Sequence, residues 1–153
     1  MESFTVVISD SPFPSPEPFL EVLKSIDCEV IFADCEKTED FKNLCEKADG
    51  MIVTYANINA DIIEHMKKCK VVSRTGVAVN NLDVGKLTEK GIYLTNVVTA
   101  QVEDVANHAI TLLLTSVKTI PLLNQHVKGG SWDFNPAVPI HKVNGSTLGL
   151  TGF

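Results

Sequence analysis

Short apolar runs alternate with amphipathic segments along the first 99 residues. Runs of four to eight apolar and β-branched residues are typical of buried strands, whereas apolar residues recurring every three or four positions are typical of helices. Five runs have the first pattern: 4–9, 28–33, 50–55, 70–74 and 92–96. Four segments have the second: 18–26, 38–48, 59–69 and 82–91. Parallel strands need a crossover, usually a helix, so this alternation predicts an α/β fold with a doubly wound, five-stranded parallel sheet of flavodoxin-like size.

The pattern changes after residue 99. Residues 100–118 form a long apolar stretch typical of a helix, Pro121 interrupts it, and a second helix is expected to end at the glycine pair 129–130. A loop-like segment with two prolines leads to the apolar run 147–153, which is predicted to be a strand. The sequence therefore predicts three parts: a domain at 1–99, helices at 100–130, and a further segment at 131–153.

Composition and charge narrow the functional classes. Apolar residues make up 44% of the 153 positions, charged residues 21%, and the net charge is −6, which together are typical of a globular protein with no preference for nucleic acid. The cations are scattered, which disfavours an anionic membrane surface as partner. No secretory leader and no long apolar span is evident, so a soluble cytoplasmic protein with four reduced cysteines is expected.

The loop after the fourth predicted strand carries the clearest candidate chemistry. Ligands of open parallel sheets bind beyond the carboxyl ends of the strands. At this position Thr75, Gly76 and Ala78 are small, so successive backbone N–H groups can turn outward and bind an anion such as a carboxylate. The alternative is an ordinary strand-to-helix turn in which Asn81 or Asp83 caps the next helix.

Four motifs in this half of the chain resemble those of the D-isomer-specific 2-hydroxyacid dehydrogenases. They are RTGVAVNNLD at 74–83, KGIYLTN at 90–96, VEDVANHAITLLL at 102–114 and KGGSW at 128–132. The first motif typically reads Arg-x-Gly-x-Gly-x-Asp-Asn-x-Asp in that family. Its matching positions here are Arg74, Gly76, Asn81 and Asp83, whereas Ala78 and Asn80 depart from it.

The resemblance implies a substrate side and a cofactor side. The backbone amides of Val77 and Ala78 would hold the substrate carboxylate, and Thr54 and Tyr55 would lie on the substrate-side loop. The family's phosphoglycerate dehydrogenases often have arginine in that loop, so Thr54 makes a phosphorylated substrate a weaker candidate.

The implied cofactor is NAD or NADP. Val77 and Val102 would approach it, and Gly152 would be the first glycine of a Gly-x-Gly-x-x-Gly dinucleotide motif. The run 147–153 would then be the first strand of an incomplete Rossmann domain.

The resemblance predicts the N-terminal part of an oxidoreductase that acts on the CH–OH group of a small D-2-hydroxy acid. It also implies a homodimer for the full-length enzyme. The family's catalytic arginine, acid and histidine match no residue here, so the chain alone is expected to be inactive. Two alternatives remain open: a non-enzymatic module, carboxylate-binding or co-repressor-like, and a truncation product without function.

Histidines and cysteines offer weaker candidates. His65 and Cys69 are four residues apart on a predicted helix and could share a metal, but too few further ligands have suitable spacing, so no metal is expected. Cys69 lies among lysines and is either a reactive thiol or, as we favour, a plain helix-end cysteine. His65, His108, His126 and His141 are expected to be ordinary surface or core residues.

Overall fold

The computed structural model describes residues 4–35 and 38–152. The chain divides after Thr99 into two compact units, which are described separately. Among the helices that the structure describes, none is long and apolar enough to cross a membrane.

The first unit is a five-stranded parallel sheet with four helices, as the sequence predicts. Its elements are β1 (Phe4–Ile8), α1 (Glu17–Leu23), β2 (Cys28–Phe32), α2 (Thr38–Lys47), β3 (Gly50–Val53), α3 (Ala60–His65), β4 (Val71–Arg74), α4 (Val84–Glu89) and β5 (Tyr93–Asn96). The strand order is β2-β1-β3-β4-β5, with every neighbouring pair parallel. The order therefore reverses direction between β1 and β3, and ligands of such sheets bind at this point.

One face of the sheet carries the main core. Helices α2, α3 and α4 are neighbours in one layer, and alternate strand residues pack against them. Three strands and three helices contribute fully buried members to this cluster, among them Val7, Met51, Val53, Val72, Cys45, Ile63 and Leu87. Burying one such aliphatic side chain contributes about 1.5–3 kcal/mol, so this layer stabilises the unit and holds the strand ends in place.

The helix caps follow the local sequence. The Asn59 side chain accepts a hydrogen bond of 3.1 Å from the N–H of Ile62 at the start of α3, because asparagine at this position can satisfy a free amide of the first turn. Asp83 rather than Asn81 caps α4, because its carboxylate accepts from the N–H of Lys86 at 2.9 Å. Gly91 follows the end of α4 with φ +68°, a conformation that favours glycine.

Helix α3 is shorter than predicted. It ends at His65 because Met66 leaves the helical conformation (φ −76°, ψ 76°), and the chain then turns into β4. His65 and Cys69 therefore do not share a helix face, and the described residues contain no group of three or more His, Cys, Asp or Glu suited to a metal ion. Cys69 is buried, and this burial raises the pKa of its thiol, so the structure favours the plain helix-end cysteine over the reactive thiol.

The second unit is mostly helical. It contains α5 (Val102–Val117), α6 (Ile120–Lys128) and a short 3₁₀ turn, η1 (Asn135–Ala137). Pro121 lies in the first turn of α6, where a missing N–H costs nothing. No residue of α5 or α6 is buried.

The predicted strand at 147–153 is wrong for the part of it that is described. Residues 147–152 are not part of a strand, and no described strand pairs with them. A strand is stabilised by hydrogen bonds to a neighbour, so an apolar run without a partner does not form one. Phe153 lies outside the described residues.

Candidate functional site

The candidate site lies at the carboxyl edge of the sheet in the first unit. Asp10 follows β1, Thr54 follows β3 and Thr75 follows β4, so the parallel strands deliver all three to the same edge. The register pairs Ile8 with Ile52, which brings the ends of β1 and β3 side by side. This is the place where the strand order reverses.

The loop 75–78 is anchored on both of its sides. On one side, the N–H of Thr75 donates to the carbonyl of Val53 at 2.9 Å. On the other, the N–H of Val97 donates to the carbonyl of Gly76 at 3.2 Å, and the side-chain amide of Asn96 donates to the carbonyl of Val77 at 2.7 Å. The loop conformation is therefore fixed through the N–H of Thr75 and the carbonyl groups of Gly76 and Val77.

Two amide groups of the same loop, those of Val77 and Ala78, remain available. Within residues 4–35 and 38–152, neither the N–H of Val77 nor that of Ala78 donates to a protein acceptor. Both residues are exposed, Val77 to 46%. Ala78 is not among the residues with positive φ, so alanine fits this turn without strain. Successive free N–H donors on a fixed loop can bind an anion such as a carboxylate.

Arg74 adds a positive charge beside this loop. Its guanidinium lies directly against Gly76, because a Cβ placed on that glycine would come within 2.7 Å of the guanidinium carbon. Its Nε is buried and has no hydrogen-bond partner in the described part of the chain. The family motif was the only signal in the sequence for this residue, and it predicted no role for Arg74 in the site.

Thr54 and Thr75 are brought together, but Thr54 faces inward. Thr54 is 6% exposed, and its hydroxyl accepts a hydrogen bond from the Thr75 hydroxyl at 2.8 Å. Tyr55 is different, since 71% of it is exposed at the same edge. Of the two predicted residues on the substrate-side loop, only Tyr55 has an exposed side chain, and the role of both toward a substrate stays a prediction.

Asp10 is a site residue that the sequence analysis missed. Its carboxylate accepts from the backbone N–H of Thr54 at 3.0 Å, from that of Tyr55 at 2.6 Å and from the Ser9 hydroxyl at 2.6 Å. Partial burial favours the neutral acid, but these bonds, with a further one from the N–H of Ala56, lower the pKa of Asp10 below its ordinary value. An acidic residue directly after a buried strand was the available signal.

An apolar cavity of about 560 Å³ adjoins Arg74 and Thr75. Most of its wall comes from the segment 13–23, including Phe13, Phe19 and Val22. The polar side chains in the wall are those of Ser15, Ser73, Arg74 and Thr75, so its charged group, the Arg74 guanidinium, lies at the end next to the loop 75–78.

The two predicted cofactor residues outside this loop belong to the second unit. Val102 is the first residue of α5 and is exposed. Gly152 has φ +83°, and a Cβ placed there would meet no atom within 4 Å, so it has the conformation and the open surroundings that a close backbone approach needs. Their role toward a cofactor stays a prediction.

The sheet topology and the free N–H groups of Val77 and Ala78 together define a flavodoxin-like α/β domain with backbone donors at the carboxyl edge of its sheet. The family model for the D-isomer specific 2-hydroxyacid dehydrogenase catalytic domain matches residues 6–151, and the chain belongs to this family.

Curated relatives are dehydrogenases and reductases. The chain is 36% identical over 126 residues to hydroxypyruvate reductase of Thermotoga maritima, covering 82% of this chain and 40% of that protein. It is 33% identical over 140 residues to D-3-phosphoglycerate dehydrogenase of Methanocaldococcus jannaschii, covering 91% of this chain and 26% of that protein. The chain thus spans well under half the length of these two relatives.

Solved structures share the fold. The D-lactate dehydrogenase of Aquifex aeolicus, complexed with NAD and lactic acid, has a TM-score of 0.76 at 21% identity, covering 90% of this chain and 41% of that one. Solved neighbours in this fold hold NAD in some cases and NADPH in others.

Proposed function

We propose that this chain is the substrate-binding part of an NAD(P)-dependent oxidoreductase acting on the CH–OH group of a small D-2-hydroxy acid. The observation that supports it is the pair of free N–H groups at Val77 and Ala78, on a loop held against the Arg74 guanidinium. Charge-assisted hydrogen bonds to a carboxylate are about twice as strong as neutral ones, so this arrangement favours an anionic ligand.

The proposed substrate is a small, non-phosphorylated 2-keto or 2-hydroxy acid. The loop after β3 offers the Tyr55 ring, while the N–H and hydroxyl of Thr54 are already bonded to Asp10 and Thr75. No cation occupies 54–56, where a phosphate ligand would need one. The proposed substrate therefore differs from the phosphorylated substrate that the names of its phosphoglycerate-dehydrogenase relatives imply.

The proposed cofactor is NAD or NADP, which supplies or accepts the hydride when bound. Val77, Val102 and Gly152 are the residues proposed to approach it. We also propose a cytoplasmic location and a homodimer of the full-length enzyme, with nucleic acid and membrane excluded as partners. The uncovered apolar residues of α5, such as Val105, Ile110 and Leu112, support association with another polypeptide.

Titration with pyruvate tests the carboxylate-binding loop. We expect saturable changes in the NMR chemical shifts of the Val77 and Ala78 amides when pyruvate is added to the 153-residue chain. Methyl pyruvate is the matched control, since it keeps the keto group and lacks the carboxylate charge. No shift with pyruvate, or equal shifts with both compounds, contradicts the proposal.

A kinetic assay separates binding from chemistry. We expect the purified 153-residue chain to show no NADH-dependent reduction of glyoxylate or hydroxypyruvate, because the family's catalytic arginine, acid and histidine match no residue in it. Measurable oxidation of NADH above the protein-free rate would contradict this. Carboxylate binding without activity in the longest native form of the protein would instead favour the non-enzymatic binding module.

A further inference from the structure

Asp10 joins two strands at the switch point of the sheet. It follows β1, and its two carboxylate oxygens accept from the N–H groups of Thr54 and Tyr55, which follow β3. One oxygen also accepts from the Ser9 hydroxyl. Few residues with so short a side chain could reach both amides and satisfy them together.

Thr54, whose N–H bonds to this carboxylate, also connects Asp10 to the proposed binding loop through its hydroxyl. The hydroxyl of Thr54 contacts the Asp10 carbonyl at 3.5 Å and accepts from the Thr75 hydroxyl at 2.8 Å. The N–H of Thr75 in turn donates a hydrogen bond to the carbonyl of Val53. Thr75 immediately precedes Gly76, so the position of the free Val77 and Ala78 donors depends on it.

We propose that Asp10 is the positioning residue of the carboxylate-binding loop, acting through Thr54 and Thr75. This inference rests on the proposed function of that loop. Asp10 does not touch the ligand. It fixes the ends of β1 and β3 relative to each other, and through the two threonines it fixes the start of the loop after β4.

The charge of Asp10 suits this role despite the nearby anion site. An unpaired carboxylate would repel an anionic ligand, but here N–H and hydroxyl donors engage both oxygens. Asparagine has one acceptor oxygen and an NH₂ group. In Asp10→Asn, either the Thr54 or the Tyr55 amide would therefore face the NH₂ group, which is another donor. The asparagine side chain has nearly the same size and shape, but it loses one of the two hydrogen bonds that position the strand ends.

The test compares Asp10→Asn with Asp49→Asn. Asp49 is a matched control, because its carboxylate also accepts from a backbone amide, that of Thr5 at 2.9 Å, but at the opposite end of the sheet. Amide hydrogen exchange of the ligand-free chain is measured by NMR, and pyruvate affinity is measured by titration.

We expect Asp10→Asn to speed exchange at the amides of Thr54, Tyr55 and Thr75 by about tenfold and to weaken pyruvate binding by a similar factor. Asp49→Asn is expected to speed exchange near Thr5 and to leave pyruvate affinity unchanged. A merely structural Asp10 would affect stability, as Asp49 does, without a specific loss of affinity.

Unchanged exchange at Thr75 in Asp10→Asn overturns the inference whether or not the chain binds pyruvate. Failure of the wild-type chain to bind pyruvate overturns the proposed function instead, so the two failures are distinguishable. Should Asp10→Asn not fold, Thr75→Val removes only the hydroxyl link. We then expect faster exchange at the Val97 amide, which bonds to Gly76, and unchanged exchange there overturns the inference.

Discussion

Replacing Gly76 with alanine is expected to weaken pyruvate binding by about tenfold or more with little loss of stability. The new methyl group would lie within 2.7 Å of the Arg74 guanidinium carbon, so the guanidinium must move away from the loop. A hydrogen bond to a charged group contributes about 1.5–3 kcal/mol, which is the loss expected in binding. The end of the arginine side chain is flexible, and Gly76 is not at positive φ, so the fold tolerates the change.

Gly85→Ala is the control for this substitution. A Cβ at Gly85 would lie 3.5 Å from an Asp83 carboxylate oxygen, which is ordinary contact, and the position is in the first turn of α4. We expect Gly85→Ala to bind pyruvate with the affinity of the wild type. Arg74→Met should reproduce the loss seen with Gly76→Ala. Wild-type affinity in both Gly76→Ala and Arg74→Met would show that the guanidinium has no part in binding.

Local pattern was sufficient to predict the sheet and its helices. Each strand is a short apolar run. Asn59 and Asp83 mark helix starts by side-chain hydrogen bonds to nearby backbone amides, and Gly91 marks a helix end by its positive φ. The predictions failed where structure depends on distant residues. The run 147–153 has the composition of a strand, but it lacks a neighbouring strand among the described residues.

The same distinction applies to the candidate site. The small residues at 75–78 predict a loop with exposed amides, and the structure shows those of Val77 and Ala78 without protein acceptors in the described residues. The hydrogen bond from the Thr54 N–H to the Asp10 carboxylate could not be predicted, because Asp10 is 44 residues away in sequence. Only the register of β1 against β3 brings the two together. Arg74 was visible in the motif, but its packing against Gly76 required the folded loop.

Replacing Ile63 with alanine is expected to lower the free energy of unfolding of the first unit by about 2–5 kcal/mol. Ile63 lies in α3, is fully buried and belongs to the core cluster between the helix layer and the sheet. Removing three carbon atoms leaves a cavity that the surrounding side chains fill only in part. Urea denaturation followed by circular dichroism measures the loss, and an unchanged slope with denaturant shows that only stability has changed.

Ile26→Ala removes the same atoms from a side chain that is 49% exposed. It is expected to cost less than about 1 kcal/mol, because little apolar surface leaves water at this position on folding. Equal losses for the two variants would mean that the helix layer does not form a tightly packed core. The strand ends that carry Asp10, Thr54 and Thr75 would then lack a rigid support. Ile63→Ala could instead lose much of its free energy of unfolding while the fraction that stays folded binds pyruvate with unchanged affinity. That result would show that the helix layer sets the stability of the unit. The hydrogen bonds at the sheet edge would then set the geometry of the site.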